Sequence, residues 1–260
     1  MSAAKPIEVV VRAVDVLNTV GAASSGLTLQ ELHAELDIPL GSLHRILGTL
    51  SQADYLRRSP ITKRYFVGRA ARTLSGGTGS HSARLIKPPA ALIDAANETG
   101  ETVFLTEFIG DVPVCVSIVE AEHALRLFVR IGQEMPLHAA ASSRAILAYF
   151  DEDVVRTLLE ESEPLTEFTT GTPHSVADVM QVLKEVREHG YATCDNELDP
   201  DAWAVSAPIR DADDRVLSSV TITAPGSRVA DPKVRERVTE AVLRAAEALS
   251  AELGNPGPVS

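Results

Sequence analysis

The stretch LTLQELHAELDIPLGSLHRIL, residues 27–47, reads as two short helices with a break between them. Thr28 stands before Leu29-Gln30-Glu31, so its hydroxyl can cap a helix while Glu31 reaches back to the N–H of the capping residue. That helix ends near Asp37. Proline disfavours a helical residue before it but suits a first helical turn, so Ile38-Pro39 separates this helix from the next, at about residues 40–53. Leu43, Ile46, Leu47 and Leu50 form an inward stripe and leave Gly41, Ser42, His44, Arg45 and Thr49 nearer the outside. A major groove admits such a face. Small residues permit close approach, Arg45 can fork onto guanine or grip a phosphate, and Ser42 and His44 can donate to phosphate oxygens. The same pattern also describes the solvated side of a small helical bundle.

The flanking segments favour DNA. Upstream, residues 7–22 repeat apolar side chains at three and four positions (Val10, Val11, Val14, Leu17, Val20), which predicts a helix with that stripe packed inward. Downstream, residues 55–58 and 64–67 read as two strands joined by residues 59–63, a hairpin carrying Arg57, Arg58, Lys63 and Arg64. A basic hairpin alone is an ordinary soluble edge. Set directly after three helices in this order, it is the wing of a winged helix-turn-helix, suited to phosphates or the minor groove. The candidate DNA-binding set is therefore Thr28, Gly41, Ser42, His44, Arg45, Thr49, Arg57, Arg58, Lys63 and Arg64.

The net charge of −12 argues against a DNA binder until it is divided along the chain. Residues 1–80 hold 9 Lys or Arg against 6 Asp or Glu, a balance of +3, and residues 81–260 hold 15 against 30, a balance of −15. Only the N-terminal part suits a polyanion. The 260 residues allow two ordinary domains, which we place at 1–68 and 81–254, with a linker at 69–80 and a frayed tail at 255–260. The glycine-rich Ser75-Gly76-Gly77-Thr78-Gly79 marks the linker. The larger domain opens on a helix ending at Gly100, with Pro88-Pro89 near its start or breaking it, and continues with strands at 101–107, 112–120 and 125–130. A loop then runs from Gly132 into a helix rich in Ala and Ser that continues through Tyr149. Small residues at that helix start either admit a ligand to its free N–H groups or allow tight packing on a sheet. Residues 231–253 predict a long amphipathic helix.

Three segments, Leu27 to Leu32, Ile38 to Leu47, and Tyr55-Leu56 with Arg64 to Gly68, resemble the IclR family of regulators, and the likeness extends over about residues 7–254. It implies a DNA-reading helix with Ser42, His44 and Arg45 at contacting positions, although Leu40, Gly41 and Ser42 replace the family's usual lysine and serine. It further implies an α+β chain: a winged helix-turn-helix joined by a linker helix to a GAF-like effector-binding domain with a mainly antiparallel sheet. Gly190 to Glu197, Val205 to Ile209 and the Pro225-Gly226-Ser227-Arg228 motif resemble the matching parts of that domain. Carried over by position, the effector site comprises Ala141, Ser142, Asp195, Val205, Thr221 and Thr223. Leu127, Val129 and Met135 form either an apolar wall of that site or plain core, and Arg144 stands where it can reshape an anion-binding end. The implied partners are a double-stranded DNA operator, a small organic or aromatic acid as effector, and further copies of the chain in a homodimer or homotetramer. Repression of a catabolic or metabolic operon is the implied outcome.

Other chemistries lack their motifs. Ser142, His138, His174 and several aspartates are present, but there is no Gly-x-Ser-x-Gly elbow, no His-Glu-x-x-His pair and no phosphate-cradling glycine loop. No catalytic residues, no metal ligands and no cofactor are expected, and His138 reads as a loop-fixing hydrogen-bonder. Cys115 and Cys194 belong to no Cys-x-x-Cys pair and read as small buried apolar residues. Absence of a signal sequence or a long apolar run predicts a cytoplasmic protein with no membrane partner. An enzyme that binds a small molecule, or a module that docks proteins through its winged helix, are the alternatives.

Overall fold

In the computed structural model, which describes residues 7–23, 26–60, 62–71, 87–121 and 129–255, the chain divides into two compact units at about residue 86. The first holds α1 (Glu8–Ala22), α2 (Leu29–Leu36), α3 (Leu40–Gln52), β1 (Leu56–Arg58) and β2 (Tyr65–Val67). The capping box at the start of α2 is complete: Thr28 Oγ1 accepts from the Glu31 N–H at 3.2 Å and Glu31 Oε2 accepts from the Thr28 N–H at 2.7 Å. Asp37 turns left-handed at φ 50° to end α2, and Pro39 opens α3. Val16, Val20, Leu32, Leu43, Ile46, Leu47, Leu56 and Tyr65 pack into one small core. β1 and β2 pair antiparallel with Arg57 opposite Phe66, and the backbones of Leu27 and Tyr65 bridge the start of α2 to the hairpin.

The stripe expected on α1 is corrected. Val16 and Val20 enter the core, with Ala13 and Leu17 partly buried against it, while Val10 and Val14 are 54% and 48% exposed and Ile7, Val9 and Val11 are exposed with them. A three-to-four spacing locates an apolar stripe but not the surface that covers it, and among the described residues none covers the side of α1 that carries Val10 and Val14.

The second unit is built on a five-stranded sheet in the order β4-β3-β7-β6-β5, from β3 (Thr102–Ile109), β4 (Val112–Val119), β5 (Ala192–Asp195), β6 (Ala202–Arg210) and β7 (Val216–Pro225). The β3/β7, β7/β6 and β6/β5 pairs are antiparallel. Two helices, α4 (Ala90–Thr99) and the 21-residue α8 (Pro232–Glu252), cover one face. The short α5 (Ala141–Leu147) packs on β6 and β7, followed by α6 (Glu152–Glu160) and α7 (Val176–His189). Pro89 is the N-cap of α4, so the double proline precedes that helix instead of breaking it. Of the strand expected at 125–130, residues 125–128 lie outside the described residues and 129–130 are not in a strand. The glycine-rich 75–79 segment likewise lies outside them.

Register decides what each face of the sheet carries. Val103 pairs with Ile222 and Ile222 with Val205, a row buried under α4 and α8. The next rows alternate to the opposite face because successive strand residues point opposite ways. Phe104, Thr221 and Ser206 form one, and Thr102, Thr223, Ala204 and Cys194 form another. The helix-covered face is thus aliphatic, and the other face is rich in buried hydroxyls.

Candidate DNA-reading surface and effector cavity

On α3, Gly41, His44, Arg45 and Thr49 are exposed, Ser42 is half-buried, and Leu43, Ile46 and Leu47 are buried. A Cβ added at Gly41 or Gly48 would meet nothing within 4 Å, so packing inside the unit does not require glycine there. Their smallness is free to serve an approaching molecule. Thr49 donates its hydroxyl to the Arg45 carbonyl at 2.9 Å, which leaves the oxygen lone pairs outward. Ser42, Arg45 and Thr49 also line a groove of about 640 Å³ whose other wall is α1, with Arg12 on it, ion-paired to Glu8. Sequence reasoning missed Arg12 because the opening turns of α1 were read as buried support.

In the wing, Arg57 is half-buried and Arg58 and Lys63 are exposed. The Arg58 guanidinium lies 5.8 Å from the centre of the Tyr65 ring. Lys63, left-handed at φ 59°, folds its ammonium onto the Pro60 carbonyl across the turn.

Two members of the expected DNA-binding set hold partners inside the unit. Arg64 does not project from the wing: its guanidinium forks onto both Glu31 oxygens, at 2.8 and 3.0 Å, and donates to the Gly26 carbonyl at 2.7 Å. It clamps the hairpin to the start of α2. Thr28, half-buried, has its hydroxyl oxygen and its N–H committed to the capping box. The Glu31 carboxyl is held below the ordinary glutamate value, chiefly by the Thr28 N–H and hydroxyl and further by Arg64.

In the second unit a cavity of about 50 Å³ opens between the hydroxyl-rich sheet face, the start of α5 and the β5–β6 connection. Phe104, Val129, Met135 and Leu198 give it apolar walls, and Ser142, Cys194, Asp199, Thr221 and Thr223 bring polar atoms. Thr221 donates to Ser206 Oγ at 2.9 Å, which in turn donates to the Val220 carbonyl at 3.1 Å. Thr223 donates to the Trp203 carbonyl at 3.3 Å. With their protons committed, both threonines offer only lone pairs to an occupant. Ser142 Oγ is buried and has no hydrogen-bond partner among the described residues.

Of the expected effector residues, Met135, Ala141, Ser142, Thr221 and Thr223 line this cavity, and Leu127 lies outside the described residues. Val205 and Asp195 are corrected by a single step of strand parity. Val205 is fully buried on the α4/α8 face, and its neighbour Ala204 faces the cavity. Asp195 points out to solvent and pairs with Arg235 at 2.7 Å, while Cys194 faces in and Asp199, four residues on, takes a place in the wall. Arg144 does not reach the cavity at all. Its side chain is wholly buried, donating to Glu197 Oε2 and to the Thr193 carbonyl, both at 2.5 Å. His138 Nε2 lies 2.9 Å from the Thr166 carbonyl and its ring stacks on Phe168, so it fixes a loop as expected.

Comparison with known proteins places both units. The IclR helix-turn-helix domain profile matches residues 9–60, and the profile of the bacterial transcriptional regulator IclR C-terminal domain matches residues 85–251. The HTH-type transcriptional regulator BhcR of Paracoccus denitrificans is 30% identical over 240 residues, covering 92% of this chain and 85% of BhcR. The HTH-type transcriptional regulator XynR of Escherichia coli is 28% identical over 256 residues, covering 96% and 98%. Among solved structures, an IclR transcriptional regulator from Alicyclobacillus acidocaldarius superimposes with a TM-score of 0.58 at 26% identity, over 95% of this chain and 99% of its own. The Thermotoga maritima IclR shares the fold, with a TM-score of 0.61 at 23% identity over 96% and 100%. With both domain profiles in order along one chain and relatives aligned over nearly its whole length, the protein belongs to the IclR family and is a DNA-binding transcriptional regulator.

Proposed function

We propose that α3 enters the major groove of an operator and that Gly41, Ser42, His44 and Arg45 read it, while Arg57, Arg58 and Lys63 of the wing meet phosphates or the minor groove beside it. The observation that carries this reading is the outward face of α3, where glycines that the fold does not need flank an exposed arginine. Two copies set on a pseudo-palindromic operator would span its half-sites. Self-association, as a homodimer or homotetramer, is supported by the uncovered apolar turns of α1. A monomeric mass for the full chain in sedimentation would remove that part.

The cavity takes the effector, and a small organic acid suits it if its carboxylate lies at Ser142 and the start of α5, away from Asp199 and the threonine lone pairs. Ser142 Oγ is unpartnered there, and the first N–H groups of α5 have no carbonyl within the helix to receive them. At about 50 Å³ the cavity lies well below the roughly 300–1,000 Å³ of common ligand sites, so an aromatic acid would require it to widen. Occupancy regulates only if the ligand binds two arrangements of the protein unequally, and repression relieved by ligand is the outcome we propose.

Gel-shift titration with fragments from around the protein's own gene tests the DNA reading. Arg45→Ala should weaken binding about fivefold or more, as loss of a bidentate base contact of roughly 1–3 kcal/mol requires. Equal binding by both proteins would take Arg45 off the reading face.

A further inference from the structure

Arg144 is a full guanidinium buried to 0% relative exposure, one turn along α5 from the cavity residues Ala141 and Ser142, yet outside the cavity itself. Its two terminal nitrogens reach across to the other wall. Nη1 donates to Glu197 and Nη2 to the Thr193 carbonyl, while Nε has no partner among the described residues. Glu197 uses its second oxygen to accept the Asp195 N–H at 3.3 Å. The segment so gripped is the β5–β6 connection, which supplies Leu198 and Asp199 to the cavity wall and is turned by left-handed residues at Asn196 and Asp201. On its outer side it is tied to a second loop, by the Thr172 hydroxyl on the Glu197 carbonyl at 2.6 Å and by Thr169 on that of Asn196.

From this we infer that Arg144 is a positioning residue for the effector cavity: through Glu197 it latches the β5–β6 connection against α5, and so fixes Leu198 and Asp199 over Cys194. The inference rests on the cavity being the ligand site proposed above. A buried guanidinium cannot lose its carboxylate without being left uncompensated in a medium of low dielectric, so this tie resists parting far more than a solvated one would. Arginine suits the role because its planar fork reaches two acceptors at once, whereas a lysine ammonium is a single point charge. The connection held by the latch forms one wall of a cavity of only about 50 Å³. A ligand larger than that volume enters only as the connection moves, and Arg144 then limits what is admitted.

Cys194 provides a probe that needs neither ligand nor operator. Methyl methanethiosulfonate transfers its methylthio group to a thiolate, forming a disulfide and releasing methanesulfinate, and peptide mass separates Cys194 from Cys115. Both cysteines are buried. Burial pushes the Cys115 thiol up to about 12, and Cys115 lies outside the cavity lining, in the cluster of Phe104, Met135 and Ala140 behind it, so its rate is the baseline for openings that both cysteines share. In the full-length Glu197→Gln protein the Cys194 rate, compared at equal thiolate fraction from its pH profile because the Glu197 charge itself raises that thiol, should rise at least fivefold more than the Cys115 rate. Arg144→Lys, which retains a charge for Glu197, should give a smaller acceleration of the same kind. A Cys194 rate within twofold of the parent in both variants would overturn the latch, as would equal acceleration of both cysteines, which would make the pair a support of the whole domain. Because no DNA enters the measurement, failure of the latch leaves operator binding untouched, and failure of the regulator reading leaves the labelling interpretable.

Discussion

Each unit holds an arginine that ties two segments together through a glutamate, and the two clamps stand in opposite surroundings. Arg64 and Glu31 meet at the surface, with side chains 32% and 44% exposed, and join the wing to α2. Arg144 and Glu197 meet inside, at 0% and 17%, and join a helix to the wall of a cavity. Water can replace either partner of the first pair and neither partner of the second fully. The difference follows what each unit presents. A reading head works with its outer face, so its polar groups stay solvated, whereas a sensor works with an inner surface, and its polar groups must be paired before anything else binds.

The largest expected effect comes from breaking the inner clamp. Glu197→Ala leaves a buried guanidinium without its carboxylate and should cost about 3–5 kcal/mol, while Arg64→Ala should cost no more than about 1 kcal/mol. Trp203, the single tryptophan, is buried in the core of the second unit, so its fluorescence in a urea titration follows that unit alone. Far-UV dichroism follows both. Equal losses in the two variants would erase the contrast between the clamps.

A second contrast divides adjacent residues of one strand. Ile222 is fully buried beneath α4 and α8, and Thr223 lines the cavity on the other side. Ile222→Ala removes aliphatic packing and should cost about 2–5 kcal/mol. Thr223→Val loses one 3.3 Å hydrogen bond and should cost about 1 kcal/mol or less. If the Trp203 transition moved as far for Thr223→Val as for Ile222→Ala, the assignment of the two faces would be wrong.

The same contrast explains what could be read from the chain. α2 and α3 were legible because a cap, a proline and a helical period all act within a few residues, and the outward set of α3 follows from its inward one. The two corrections in the sensor both lie on strands. Asp195 and Val205 sit one residue from Cys194 and Ala204, which face the cavity. A strand's parity is set by pairing with partners far along the chain, such as Val205 with Ile222, and no local pattern reports it. Arg144 shows the same limit. A basic residue beside a ligand helix invites assignment to an anion, and only the fold brings Glu197, 53 residues away, to claim it. On α1 the spacing of Val10 and Val14 was visible and its partner was not, because a stripe uncovered within its own unit has the same period as one that is covered.

The smallest effect concerns acid. Glu31 holds its carboxyl below the ordinary glutamate value because the Thr28 N–H and hydroxyl, and then Arg64, favour the charged form. A depressed folded value means that the unfolded chain binds this proton first. The resulting stability is present above the ordinary glutamate range and is lost as pH falls through the lower folded value. Glutamine retains the capping geometry but has no charge to lose, so Glu31→Gln removes the pH-dependent part alone. The gap between the thermal midpoints of parent and Glu31→Gln, followed by far-UV dichroism, should stay constant at neutral pH and close on acidification through that window. A gap that widens in acid would mean that the Glu31 carboxyl is raised, and the capping box would then not be the source of its charge. Since the same carboxylate anchors Arg64, protonating it also loosens the wing, and operator binding should weaken over the same window in the parent and not in Glu31→Gln.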